Sequence, residues 1–186
     1  TWWDGFFVFA LNELLLQQDL YLMMGEEQFR KFSFFRRLGV FSIDLQSRTD
    51  VAAAFRYSVR LLQQHPRIAL WIFPSGDLQP AGAPAAYKDG FARIAAAAGD
   101  VDVIPVAMRT LFVGAQHPDV FLAVGNPIRS ANLPADTIFS ESIAELERLL
   151  GETDQRIQAR DFTAFRMLLP GRSSVSTRYA RLKGLE

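Results

Sequence analysis

The chain has 186 residues, 49% of them apolar and 22% charged, with 16 Phe; this fits one ordinary globular domain and excludes a disordered chain, a repeat array or a small stapled scaffold. Lys plus Arg equals Asp plus Glu at 20 each, a balance that argues against a general nucleic-acid binder. There is no Cys, hence no disulfide, thiolate metal site or cysteine nucleophile, and no apolar run approaches the roughly 20 residues that span a bilayer. The first residue is Thr1, followed at once by Trp2-Trp3-Asp4 in a segment that already reads as structured, so the expectation is a chain that has lost its true beginning.

Asp4 heads an apolar segment, Gly5 to about Gln17, that is too long for one strand and reads as a largely buried helix. Leu20 to Met24 reads as a strand, and Glu26 to Leu38 as a helix with Phe29, Phe32 and Phe35 at helical spacing, ending at Gly39. Val40 to Ile43 is the next strand. After Arg48-Thr49-Asp50, Val51, Phe55, Val59 and Leu62 recur at helical spacing until His65-Pro66 stops the run. Ile68 to Phe73 is a buried strand bounded by Pro74 and Gly76, and residues 74–86 form a Pro/Gly/Ala loop long enough for a binding role. Phe91 to Ala98 reads as a short helix closed by Gly99. Val101 to Met108 and Val120 to Val124 are strands, with Gly114 to Asp119 as turn material between them. Ser140 to Arg160 is an amphipathic helix carrying Ile143, Leu146, Leu149 and Leu150.

This alternation predicts an α/β fold with a mainly parallel central sheet flanked by helices, in which sites sit at the carboxyl ends of strands. Phe73-Pro74-Ser75-Gly76 occupies such a position. Arg160 to Glu186 holds six basic residues against two acidic ones, a net +4, and with Phe165, Met167, Leu168 and Leu169 it suits an anionic membrane surface. A solvated terminal tail is the alternative.

No G-x-S-x-G elbow, phosphate-binding G-x-x-x-x-G-K-[ST] loop or G-x-G-x-x-G turn occurs, which counts against a serine hydrolase, a nucleotide triphosphatase and a dinucleotide oxidoreductase. The two histidines, His65 and His117, each precede a Pro and lack a second ligand at metal-binding spacing, so both read as turn or helix-end residues.

The order of motifs resembles the PlsC-like glycerolipid and lysophospholipid acyltransferase family over about residues 1–130. Trp2-Trp3-Asp4-Gly5-Phe6 looks like the second half of the family's H-x-x-x-x-D motif, with Asp4 as its acid. Phe34-Phe35-Arg36-Arg37-Leu38-Gly39-Val40-Phe41-Ser42-Ile43-Asp44 is similar to the F-F-x-x-x-x-G-x-x-F-I-D-R region. Phe73-Pro74-Ser75-Gly76-Asp77-Leu78-Gln79 stands where the family has F-P-E-G-T-R-S, and Tyr87-Lys88-Asp89-Gly90 where it has F-K-x-G. Val103-Ile104-Pro105-Val106-Ala107 looks like the V-P-V-A strand. In the family's register the motif histidine falls two positions before Thr1; neither His65 nor His117 replaces it, because Leu70 and Leu122 stand five residues on. Glu, Thr and Arg of the third block are Ser75, Asp77 and Leu78 here, and the Arg after Phe-Ile-Asp is Leu45. Arg48, three residues beyond Leu45, takes that place only if the loop bends.

The resemblance implies a glycerolipid acyltransferase-like domain over residues 1–160, cut within its first motif, and a basic extension over 161–186. It implies acyl transfer from acyl-CoA or acyl-carrier protein to the hydroxyl of a lysolipid or a related lipid or glycolipid, with no bound cofactor. A histidine outside these 186 residues would act as general base, oriented by Asp4, leaving this chain alone inactive. Phe73, Pro74, Ser75, Gly76, Lys88 and Arg48 are the candidate substrate-binding residues. The expected setting is the cytoplasmic face of a membrane, with peripheral contact, in glycerolipid biosynthesis of a bacterial type. Phe6, Phe7, Phe9, Phe32, Phe34, Phe35 and Phe41 either line an acyl channel or fill the core. Loss of the two basic positions favours an acceptor without a phosphate. The alternatives are a non-catalytic lipid-binding or scaffold protein that kept the fold, and a thioesterase-like hydrolase.

Overall fold

The computed structural model describes residues 3–64, 67–76, 86–114 and 116–171. The expected stop at His65-Pro66, residues 77–85 of the 74–86 loop, and residues 172–186 of the basic extension lie outside them. The elements run α1 (Asp4–Leu11), β1 (Asp19–Gly25), α2 (Glu26–Lys31), β2 (Val40–Ile43), α3 (Arg48–Gln64), β3 (Ile68–Trp71), α4 (Gly90–Ala98), β4 (Asp102–Val103), β5 (Val106–Leu111), β6 (Asp119–Val124), β7 (Ile128–Arg129) and α5 (Ala135–Gln158). By its internal contacts the chain divides into two compact units, Thr1–Val103 with Ile128–Glu141, and Ile104–Pro127 with Ser142–Glu186.

The first unit is built on a parallel sheet in the order β2-β1-β3, flanked by helices. β1 lies in the centre, its register running from Leu22↔Val40 to Gly25↔Ile43 on one side and from Asp19↔Ile68 to Leu22↔Trp71 on the other. Because the three strands point the same way, their carboxyl ends share one edge. α1 buries Gly5, Val8 and Leu11, a three-residue spacing that puts them on one helix face. Val8 joins Leu22, Phe35 and Val40 in the core of this unit. α3 packs on β2 and β3, and its buried Ser58 donates its hydroxyl to the Ala54 carbonyl at 2.8 Å, so no polar atom is stranded there. A second cluster joins Ala92 and Ala95 of α4 to Ile138 of α5.

Three elements differ from the sequence expectation. The helix over Gly5 to Gln17 stops being α-helical at Leu11 and finishes in a π turn, Asn12–Leu16, closed by the Gln17 N–H donating to the Asn12 carbonyl at 2.7 Å. The Asn12 side chain causes the stop: its amide donates to the Gln18 carbonyl and its oxygen accepts from the Gln18 N–H.

The helix over Glu26 to Leu38 is two pieces, α2 and a 3-10 segment Ser33–Leu38, broken at Phe32 with φ −124° and ψ 69°. α2 is held by Glu26–Arg30 and Glu27–Lys31 pairs at four-residue spacing. Beyond it, packing overrides the helical period. The break turns Phe35 into the core, with Phe32 edge-on at 6.2 Å, while Phe34, Arg36, Arg37 and Leu38 stay exposed. Gly39 closes the segment at φ +76°, where a Cβ would collide with the Leu20 carbonyl oxygen.

The strand over Val101 to Met108 is also two. Pro105 has no N–H for a ladder, and the chain changes partners around it. β4 pairs antiparallel with β7, a strand too short to stand out in the sequence, and β5 pairs antiparallel with β6 in the second unit. Buried Ser130 secures the β4–β7 pair: its hydroxyl accepts from the Val101 N–H at 3.0 Å and donates to the carbonyls of Gly99 or Val101. The remaining helices agree with expectation within a few residues, α5 beginning earlier, just after Pro134.

Candidate active site

β3 ends at Trp71, and the chain turns at once through Phe73-Pro74-Ser75-Gly76. The Gly76 N–H donates to the Phe73 carbonyl at 3.1 Å, and the Lys88 N–H donates to the Pro74 carbonyl at 2.8 Å, which ties the returning segment to the turn. Gly76 has φ +71°, a conformation disfavoured for any residue with a Cβ. A Cβ there would lie 2.7 Å from Lys88 Nζ and 3.4 Å from Cε, so the bare glycine leaves the space that the Lys88 side chain fills. Beside Lys88, Asp89 accepts from Arg93 Nε and Nη2 at 2.8 and 2.6 Å across the first turn of α4. That hydrogen-bonded guanidinium holds the Asp89 carboxyl below the usual carboxylate range.

At the carboxyl edge of the sheet lies a cavity of about 480 Å³, within the range of small-molecule sites. It is lined by the ends of all three parallel strands or the turns that follow them, including Met24, Ile43 and Ile72, and by Asp4 and Gly5 of α1. Among the described residues lining it, only Asp4 and Lys88 carry charge. Most of the rest of the wall is apolar, with Phe32, Phe35, Phe55, Phe73 and Phe91 contributing rings. Water-poor walls strengthen each electrostatic contact made there.

The structure thus brings together Asp4, Phe73, Pro74, Ser75, Gly76 and Lys88 on one cavity, from segments more than 80 residues apart in the chain. Arg48 is not among the lining residues. Ser47 caps α3 by accepting from the Asp50 N–H at 3.3 Å, Asp50 accepts from the Asp44 N–H at 2.5 Å, and Arg48 is thereby fixed in the first helical position. Leu45 and Val51 line the wall on either side of it in sequence, so the position read as basic in the resemblance is apolar here in space as well as in sequence.

Of the seven aromatics weighed as an acyl channel, Phe32 and Phe35 line the cavity; Phe6 and Phe9 pack on the core, and Phe41 meets Tyr57 edge-on at 4.9 Å. Tyr87, Gln28, Val51 and Phe55 also line the cavity and are not among the candidate site residues read from the sequence, where Tyr87 appears only as a motif position and Val51 and Phe55 only as a helix face. His117 sits exposed in the turn between β5 and β6, against Gln116, as expected of a turn residue.

The chain matches no curated protein and no solved structure. Residues 1–109 match the family model described as Acyltransferase, well over half of the chain, including α1, the parallel sheet and the 73–76 turn. With its motif blocks in family order and Asp4, the turn and Lys88 on one cavity, this chain belongs to the PlsC-like acyltransferase family, and its general function is acyl transfer.

Proposed function

We propose that the protein moves a fatty acyl group from the thioester of coenzyme A or acyl-carrier protein to the hydroxyl of a lysolipid or a related lipid or glycolipid, at the cytoplasmic face of a membrane. The observation that carries this reading is the convergence of Asp4, Gly76 and Lys88 on one largely apolar cavity at the strand ends. A hydroxyl is a poor nucleophile at neutral pH, so its proton must pass to a base as its oxygen attacks the thioester carbonyl; such a base contributes about 10²–10⁴ in rate. The resemblance assigns this to a histidine two positions ahead of Thr1. Asp4 holds the far ring nitrogen, fixes the tautomer and stabilises the imidazolium. The tetrahedral intermediate then collapses, the C–S bond breaks, and the thiolate leaves with the imidazolium proton. In this reading the 73–76 turn and the Lys88 ammonium, both on the cavity wall, favour negative charge on the donor or on the developing oxyanion.

The apolar residues Leu45 and Val51 favour an acceptor hydroxyl without a phosphate, because Lys88 is the one cationic side chain lining the cavity among the described residues. The test is thiol release from acyl-CoA and acyl-carrier protein by the protein carrying its native upstream residues, across alcohols with and without a phosphomonoester. Acylated product on a phosphate-free acceptor is the expected result. A chain that binds lipids without any thiol release would instead be a non-catalytic lipid-binding protein, and release into water alone a thioesterase.

A further inference from the structure

Where β1 runs into α2, Gly25 and Gln28 line the cavity and the charged residues of the helix do not. Those four are engaged with one another: Arg30 donates to Glu26 at 2.9 and 2.5 Å, and Lys31 to Glu27 at 2.7 Å. The charge of α2 therefore cancels within the helix. Gln28 differs. Its side chain is half-buried, its backbone carbonyl accepts from the Phe32 N–H at 3.2 Å, and its carboxamide has no hydrogen-bond partner among the described residues. An amide held against apolar walls in this way is destabilising, since it is desolvated and no bond replaces its water. Gly25 has φ −59° and ψ 140°, a backbone that any residue adopts, so the junction itself does not require a glycine. A Cβ there would meet nothing within 4 Å, which leaves open space three residues from Gln28 on the same cavity.

We propose that Gln28, with the space beside Gly25, is a specificity residue that binds a second hydroxyl of the acceptor, next to the one acylated, and so selects an uncharged sugar or polyol headgroup. A carboxamide donates and accepts at once, and so does a hydroxyl; a phosphate dianion only accepts and leaves the amide oxygen unmatched. A phosphomonoester also calls for a cation, and the one cation lining the cavity among the described residues is Lys88, on the segment tied to the 73–76 turn and not on α2. A plain long-chain alcohol suits the apolar walls but leaves the Gln28 carboxamide without a partner. The proposal rests on the acyl-transfer reading only for what becomes of the reactive hydroxyl; binding of the headgroup needs no turnover.

The test is equilibrium binding of octyl glucoside, octanol and octyl phosphate to the full chain, each below its micellar concentration and without acyl donor. The glucoside is expected to bind about tenfold more tightly than octanol, the worth of one well-made neutral hydrogen bond. Gln28→Leu, which keeps bulk and helix propensity, is expected to erase that preference. Gly25→Val, at an exposed position with ordinary backbone angles, is expected to erase it as well by filling the space, and it guards against a Gln28 variant that fails to fold. Equal binding of glucoside and octanol by wild type, or a preference that survives either substitution, overturns the proposal. So does tighter binding of octyl phosphate than of the glucoside, which would assign the headgroup to Lys88. The same acceptors are then given with acyl-CoA to the protein carrying its native upstream residues. Gln28-dependent binding without thiol release keeps the subsite and removes the enzymatic reading, while thiol release at equal kcat/KM with octanol and the glucoside does the reverse.

Discussion

Both compact units carry ion pairs, Glu26–Arg30, Glu27–Lys31, Asp89–Arg93 and Arg129–Asp100 in the first among them, and they differ in what lies beside those pairs. In the first, Val8, Leu22, Phe35 and Val40 form one apolar cluster and Ala92, Ala95 and Ile138 another, and the cavity beside them carries two charged side chains among the described residues. In the second, the antiparallel pair of β5 and β6 is accompanied by polar ties: Arg109 to Asp154, Arg148 to both Glu145 and Glu152, Asn126 to Glu145, and Arg156 to Asp161. On the cavity wall charge is scarce, so each charge there carries weight. The first unit should therefore lose function when a single charged or turn residue changes, and the second should lose stability by small, salt- and acid-sensitive steps. The family match, ending at residue 109, falls almost entirely on the first.

The sharpest break of this contrast is Asp4→Asn, made in the protein with its native upstream residues. An amide in place of the carboxylate no longer stabilises an imidazolium, and kcat for thiol release is expected to fall about 10³–10⁴-fold. A fall below tenfold would remove Asp4 from the chemistry and leave it as an ordinary first-turn acid of α1.

Gly76→Ala is next. A Cβ at φ +71° costs about 1–2 kcal/mol and meets the end of Lys88. Lys88 is flexible at that end, so it gives way, and the ammonium leaves its place over the turn. Both a lower thermal midpoint and a kcat/KM about tenfold lower, or ~1.4 kcal/mol, are expected. Gly76→Asn separates the two causes, since Asn tolerates the left-handed region: it should recover most of the stability while leaving the activity low. Recovery of both would show that the turn matters only as backbone.

In the second unit, Arg109→Ala removes two hydrogen bonds to Asp154, at 2.7 and 2.8 Å, between side chains each about a third exposed. The loss should be about 1 kcal/mol in urea unfolding, smaller at high salt, with acyl transfer on saturating substrate unchanged. Loss of transfer without loss of stability would erase the division between the units.

How far the sequence disclosed this arrangement follows from the range of each interaction. That Asp4, the 73–76 turn and Lys88 belong together was legible only through the order of motif blocks in the resemblance, and the structure sets them on one cavity; the parallel sheet was legible because strands and helices alternate. The break at Phe32 was hidden by Phe29, Phe32 and Phe35, whose three-residue spacing imitates a helix face; only the demand of Val8, Leu22 and Val40 for Phe35 reveals the turn. Pro105 announced the split between β4 and β5, yet the apolar run across it read as continuous. Arg48 stays off the cavity because Ser47 and Asp50 form a Ser-x-x-Asp start that fixes the helix one residue after the serine. Val51 and Phe55 show in the sequence only as a helix face, and what sets them on the cavity wall is that three strands end at one edge.

The smallest expected effect is also the most specific to the second unit. Glu145 accepts from Arg148 Nε at 2.7 Å and Nη2 at 2.8 Å and from the Asn126 N–H at 3.0 Å, and its side chain is 16% exposed. Those hydrogen bonds, the Arg148 pair foremost, bring its pKa down from 4.5 to about 2. A carboxylate whose pKa is depressed by folding contributes stability that is complete above its unfolded pKa and disappears as pH falls through the folded one. The contribution should therefore be constant above about pH 4.5 and fade between there and pH 2. Comparing urea midpoints of wild type and Glu145→Gln over that range reads it directly: the gap between them should be flat near neutrality and close as the acid limb is descended. Asp154 and Asp161 are depressed by their own partners and move both proteins alike, so they cancel in the difference. A gap that widens in acid would mean that protonation of Glu145 strengthens the fold, and the polar ties of this unit would then have to be assigned to groups other than Glu145 and Arg148.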